Sequence, residues 1–206
     1  MSLIFYTNPM SRGRIVRRML EEVGAQYETR VLEYGPAMKA PEFLALNPMG
    51  KIPVLCHDGV AICETPAILA HLADAFPQAQ LAPPPGSPLR GAYYRWLFFG
   101  AGPVEAAMTN KSLGVEIPAE KSGFVGYGSL GLLLDTLEQT LSASPYLTGD
   151  AFTAADLYVG GLLGFAMQFG LFESRPAFQD YTARINARPA AARAQALDDA
   201  LMPKTA

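Results

Sequence analysis

Charge is scarce in this chain, and cysteine and histidine are scarcer still. Of its 206 residues only 17% are Asp, Glu, Lys or Arg, and the net charge is −3. Lys and Arg are scattered instead of gathered in a block, so the electrostatic footprint of a nucleic-acid binder is missing and no nucleic-acid partner is expected. Half the residues are hydrophobic, so the low charge does not signal disorder. Long apolar runs are also lacking. The longest uncharged stretch, Leu157 to Phe172, is interrupted by Gly160, Gly161, Gly164 and Gln168, whereas a bilayer span takes about 20 mostly apolar residues. A buried helix fits it better, and no membrane partner is expected. A basic leader is absent too, since Ser2 runs directly into Leu3-Ile4-Phe5-Tyr6, and a cytoplasmic location is expected.

The two cysteines, Cys56 and Cys63, lie on the arms of a hairpin whose turn is Asp58-Gly59, a strong two-residue turn signal. That register makes them diagonal neighbours, too far apart for an easy disulfide. Two buried, reduced thiols are the expectation.

What is present reads as two folding patterns. Leu3 to Tyr6 is a short strand. Ile15, Val16, Met19, Leu20 and Val23 then recur at helical spacing, with Arg14, Arg17, Arg18, Glu21 and Glu22 on the other side, up to Gly24. Tyr27 to Leu32 is a second strand, Pro41 to Leu46 a short helix, Val54 to His57 and Val60 to Cys63 the hairpin, and Thr65 to Phe76 a helix. This βαβ then ββα order predicts an α/β thioredoxin-like N-terminal domain with a mixed four-stranded sheet over residues 1–80. Pro83, Pro84, Pro85 and Pro88 make 81–88 a stiff proline-rich linker. Residues 89–206 carry only helical signals and predict an all-α C-terminal domain. Its helices are expected at Gly91 to Met108, Gly123 to Leu141, Ala154 to Phe169, Ala177 to Ala187 and Ala190 to Leu201. Thr153 with Asp156 reads as a variant capping box, and Phe152 with Leu157 as its hydrophobic staple.

Two segments carry chemistry. In Asn47-Pro48-Met49-Gly50-Lys51-Ile52-Pro53-Val54-Leu55 the Ile52-Pro53 bond is open: about 5–6% of such bonds are cis in folded proteins, and a cis bond would aim backbone groups outward to pair with an extended peptide. In Glu64-Thr65-Pro66-Ala67-Ile68, Thr65 reads as an N-cap with proline at the first helical position. A helix N-terminus attracts a carboxylate, and Glu64 beside it suits an ammonium. The two groups on one carbon are an amino-acid terminus.

Together with Phe152-Thr153-Ala154-Ala155-Asp156, these segments resemble the cytosolic glutathione transferase family, of bacterial or theta-like type, over essentially the whole chain. The resemblance implies that backbone groups of Ile52, before the cis-proline Pro53, pair with the cysteinyl unit of glutathione, that Glu64 and Thr65 bind its γ-glutamyl end, and that Lys51 faces its glycine carboxylate. A solvated surface role for Lys51 stands as an equal alternative. Arg12 joins the glutathione-binding set. Glutathione is then a co-substrate, and no metal is expected.

Thiolate formation requires donors or positive charge, because a free thiol has a pKa of about 8.5. Tyr6, with Asn8 and Arg12, falls in the pattern of the tyrosine-type classes, although a core tyrosine with a satisfied hydroxyl is also common there. The serine of the serine-type classes lands on Met10, one residue before Ser11. Ser11 is also placed to cap the first helix through Gly13 or Arg14, with its hydroxyl hydrogen left for a thiolate. Ser11 ranks first, Tyr6 second, and the backbone N–H of Ser11 or Arg12 third. Absence of cysteine from this loop argues against the mixed-disulfide classes.

The resemblance further implies an apolar electrophile pocket between the domains, drawing on Tyr93, Tyr94, Trp96, Phe98 and Phe99, with core packing favoured for Met108 and Phe169. The expected function is conjugation of glutathione to small apolar electrophiles by a detoxifying homodimer, with peroxide reduction as an added activity. Glutathione-dependent isomerisation or dehalogenation, and a non-catalytic protein-binding module, are the alternatives.

Overall fold

A computed structural model describes residues 2–202, whose contacts divide into two compact units: residues 2–80 with 188–202, and Leu81–Ala187. In the first unit, β1 (Leu3–Thr7) leads into α1 (Gly13–Val23), which stops at Gly24 in the left-handed conformation. Glycine has no Cβ penalty there. β2 (Glu28–Val31), a 3-10 turn at Pro36–Lys39 and the one-turn α2 (Pro41–Leu44) follow. The hairpin of β3 (Val54–His57) and β4 (Val60–Cys63) then feeds α3 (Thr65–Ala75). Strand order is β2-β1-β3-β4, with β1 and β2 parallel and the other pairs antiparallel. α1 supplies the crossover that a parallel pair needs.

Alternation along β1 sorts the two sheet faces. Ile4 and Tyr6 pack with Met38, Phe43, Val54 and Cys56, while Leu3, Phe5 and Thr7 point to the opposite face and are buried. The hairpin register pairs Cys56 with Ala61 and Val54 with Cys63, as the turn predicted, and both thiols are free. Burial pushes both thiols up from the ordinary cysteine value.

Arg17 departs from expectation. Helical periodicity put it on the solvent side of α1, yet it is only 2% exposed. The last helix, α9 (Pro189–Asp199), packs against α1 and so belongs to the first unit instead of the helical domain expected to run to residue 206. Arg17 Nε donates to Asp198 at 2.6 Å, and Arg188 grips Glu22 with two bonds of 2.8 Å.

The second unit is all-helical: α4 (Leu89–Phe99), a π-helical turn at Gly100–Val104, α5 (Glu105–Ser112), a 3-10 turn at Ala119–Phe124, α6 (Leu130–Ala143), α7 (Ala154–Gln168) and α8 (Pro176–Asn186). The helix expected over 91–108 is thus split. Pro103 has no N–H for an α ladder, and Gly100 admits Tyr158 so closely that a Cβ would sit 2.7 Å from its ring. Helix α6 starts later than the expected Gly123, at the Ser129 cap whose Oγ accepts from Leu132 N–H at 3.1 Å. Gly123, Gly126 and Gly128 disfavour an earlier start. α7 is buried along most of its length. Its capping carboxylate, Asp156, accepts from Thr153 N–H, Thr153 Oγ1, Leu147 N–H and Tyr181 hydroxyl at 2.8, 2.9, 2.7 and 3.0 Å. The aromatic cluster divides as a helix must: Tyr93 and Trp96 are buried, Tyr94 and Phe98 exposed. Met108 is core, but Phe169 is 61% exposed and does not take the core role expected of it.

Candidate functional site

Strand register gathers the predicted residues at one end of the sheet. Val54 pairs with Tyr6 on one side and Cys63 on the other. The residues just beyond those pairs therefore neighbour one another: the loop after Thr7, Pro53 and Glu64. The Ile52-Pro53 bond is cis, the isomer the family resemblance required.

The preceding loop is built by Asn47, which is 5% exposed. Its Oδ1 accepts from Met49 N–H at 3.1 Å and its Nδ2 donates to Lys51 O at 2.8 Å. Lys39 Nζ closes the loop from outside through Met49 O at 3.0 Å and Gly50 O at 3.3 Å. Gly50 has φ 58°, and a Cβ there would lie 2.6 Å from Met38 O, so only glycine fits. Neither Asn47 nor Lys39 was singled out from sequence as part of the site. Asn-Pro before a Gly was the available turn signal for Asn47. The Lys51 side chain is exposed.

At the next neighbour the helix start is shifted by one residue from expectation. Glu64, not Thr65, is the N-cap of α3, which places Thr65 and Pro66 in its first turn. Glu64 holds φ 67°, ψ 119°. This left-handed φ is strained for a residue with a Cβ, and such strain concentrates at ligand sites. Its side chain makes no cap bond and is exposed, while Thr65 is 7% exposed. The α3 N-terminus thus presents a carboxylate beside orphan N–H groups.

The loop from Asn8 to Arg12 completes the edge. Ser11 Oγ accepts from Gly13 N–H at 2.9 Å, the bond expected of it although Arg12 occupies the cap position, and donates to Asn8 O at 2.7 Å. Ser11 N–H donates to the same carbonyl at 3.1 Å. The hydroxyl hydrogen expected to be spare is therefore engaged, and the Ser11 backbone N–H with it. Asn8 organises the loop: its Nδ2 donates to Leu32 O at 2.9 Å and its Oδ1 accepts from Met10 N–H at 2.9 Å. A Cβ on Gly13 would lie 1.9 Å from Thr7 Oγ1, so glycine lets α1 begin this close to β1. Arg12 is half-buried at the α1 cap. Met10, where a serine-type enzyme carries its serine, is 67% exposed.

Tyr6 is held differently. Its ring packs on Phe43 at 5.8 Å and its hydroxyl accepts from Arg30 Nη1 at 3.0 Å. Arg30 is itself fixed by Glu28 at 2.7 Å. The Tyr6 hydroxyl therefore already has a partner, and its ring is half-buried.

Residues 1–74 match the glutathione S-transferase N-terminal domain family and residues 128–189 its C-terminal domain family. A solved glutathione S-transferase from Xanthobacter autotrophicus Py2 is 30% identical, with 92% of this chain and 95% of that one aligned at a TM-score of 0.72. The chain belongs to the glutathione S-transferase family. Among its relatives is glutathione S-transferase GST-4.5 of Xanthomonas campestris, 27% identical over 81% of this chain and 83% of that protein. A sphingomonad glutathione S-transferase, solved in complex with glutathione, is 27% identical over 95% of this chain and 98% of that one, with a TM-score of 0.77. As a glutathione S-transferase, this protein has the fold predicted for it: a mixed-sheet N-terminal unit and a helical unit. No described helix is long and apolar enough to cross a membrane.

Proposed function

We propose that this glutathione transferase binds glutathione along the edge formed by Ile52-Pro53 and the α3 N-terminus, and directs its thiolate at small apolar electrophiles. The observation that carries the reading is the left-handed backbone of Glu64, held against steric preference beside the first turn of α3. In this reading the Glu64 carboxylate takes the ammonium of the γ-glutamyl unit, and the Thr65 end of α3 takes its carboxylate. Ile52 pairs by backbone with the cysteinyl unit. Lys51 reaches the glycine carboxylate, and Arg12 adds positive charge near the thiol.

Ser11 is the proposed thiolate donor. Turning its hydroxyl from Asn8 O to a thiolate exchanges a neutral bond for a charge-assisted one. The exchange does not orphan Asn8 O, which keeps the Ser11 N–H. Tyr6 would have to act from the Arg30 contact and ranks second.

Val60 and Phe98, 66% and 72% exposed, are apolar side chains a second copy would cover, which supports a homodimer. A detoxifying role in the cytoplasm completes the reading.

Retention on immobilised glutathione, followed by conjugation to 1-chloro-2,4-dinitrobenzene, tests it. Glu64→Ala should abolish retention. Retention by that variant would refute the assigned site, and retention without conjugation by the unaltered protein would favour a binding module.

A further inference from the structure

The loop that carries Ser11 is pinned through its carbonyls. Asn8 O, Ser11 O and Arg12 O accept from the backbone N–H groups of Ser11, Arg14 and Ile15 at 3.1, 3.2 and 3.0 Å. Pro9 O and Met10 O are held by side chains from outside the loop. Tyr34 hydroxyl donates to Met10 O at 3.1 Å, and Arg14 Nε donates to Pro9 O at 2.5 Å. Pro9 lacks an N–H, so this carbonyl is its only main-chain hydrogen-bonding group. Pro9 follows Asn8, whose carbonyl engages both the hydroxyl and the N–H of Ser11. A shift of Pro9 therefore carries the Ser11 hydroxyl with it.

Arg14 is itself aimed by a distant residue. Its Nη2 donates to Asp199 Oδ1 at 2.9 Å, across 185 positions of the chain. Asp199 is the last residue of α9 and follows Asp198. Carboxylates at a helix C-terminus oppose the helix dipole, so these two acids gain nothing from α9. Their partners lie on α1, where Arg14 and Arg17, one turn apart, meet Asp199 and Asp198. The Arg17 pair is buried, whereas Arg14 and Asp199 keep 37% and 52% of their side chains exposed. An exposed ion pair adds little to stability. It does give direction: a planar guanidinium with one nitrogen held by a carboxylate presents Nε along a fixed line, here toward the Pro9 carbonyl.

We propose that Asp199 is a positioning residue for thiol activation: through Arg14 it fixes the Pro9 carbonyl, and with it the loop that presents Ser11. This role rests on the reading of Ser11 as the thiolate donor. The end of the last helix thus acts on the first loop of the chain without touching glutathione.

The readout is the thiolate of bound glutathione, followed by ultraviolet absorbance over a pH series, with kcat and KM measured on the same samples. Asp199→Ala should raise the thiolate midpoint by about half a unit and lower kcat/KM about threefold, the scale of one exposed ion pair. Arg14→Ala, which also loses the bond to Pro9 O, should lower kcat/KM about tenfold. Adding Asp199→Ala to Arg14→Ala should change nothing further, because Asp199 acts through Arg14. Asp199→Asn keeps an acceptor of the same shape and should fall between the unaltered protein and Asp199→Ala. In both Asp199 variants the KM for glutathione and the melting temperature should hold, which separates positioning from a structural role. An unchanged midpoint in Asp199→Ala, additive losses in the double variant, or a loss carried by KM or melting temperature would overturn the inference. Ser11→Ala in the same series tests the reading beneath it. If Ser11→Ala leaves the midpoint unchanged, the donor assignment fails and the inference with it; if it raises the midpoint while Asp199→Ala does not, only the positioning role fails.

Discussion

Replacing Ser11 with alanine tests thiol activation most directly. In the free protein the hydroxyl accepts from Gly13 N–H and donates to Asn8 O. To reach a thiolate it gives up the second bond, a neutral one contributing about 0.5–1.5 kcal/mol, and gains a charged one of about 1.5–3 kcal/mol. The net stabilisation of the thiolate is then about 1–1.5 kcal/mol. One pKa unit corresponds to about 1.4 kcal/mol, so Ser11→Ala should raise the apparent pKa of bound glutathione by about one unit. Near neutral pH most of the thiol would then be protonated, and kcat/KM should fall about tenfold. Glutathione affinity should change little, because Ile52, Glu64 and Thr65 are untouched. Losing the bond to Gly13 N–H should also lower stability by about 1 kcal/mol, so rates belong well below the melting transition. The assay is the ultraviolet absorbance of the bound thiolate over a pH series, with initial conjugation rates on the same samples. An unchanged thiolate titration in Ser11→Ala, with the rise appearing in Tyr6→Phe, would refute the assignment.

Three further outcomes follow from the geometry. Thr153→Ala should cost about 1 kcal/mol in urea unfolding, and Asp156→Ala several times that, because it orphans the buried donors of Leu147, Thr153 and Tyr181; equal losses would contradict the network. Glu64→Gly should leave thermal stability equal or higher, since glycine adopts φ 67° without strain, while retention on immobilised glutathione is lost. Burial pushes the Tyr27 hydroxyl up to about 12, against an opposing pull from Arg17. A group raised in the folded state contributes stability that is complete below its unfolded value and lost as pH climbs to the folded one. Stability should therefore decline between about pH 10 and 12, a decline that Tyr27→Phe should reduce.

Much of the fold was legible because it is written in local periodicity and turn chemistry. The Asp58-Gly59 hairpin, the stop at Gly24 and the Thr153–Asp156 cap each depend on residues close in sequence. At the site the differences lie in local backbone conformation, which residue types alone do not specify. Thr65 reads as the N-cap from sequence, whereas Glu64 takes that place with a left-handed φ. The Ser11 hydroxyl hydrogen, spare by the sequence reading, is engaged by Asn8 O three residues back.

The sequence by itself determined the element order of the first unit, the mixed sheet, the family and the two segments proposed as the glutathione edge, since periodicity, turns and motif spacing act over short windows. Only the tertiary structure decided what surrounds Arg17. Its partner Asp198 lies 181 residues away, and no helical pattern in α1 reports that a second helix will cover its polar face. Desolvation and pairing are properties of the assembled chain, so the buried guanidinium exists only after α9 has docked.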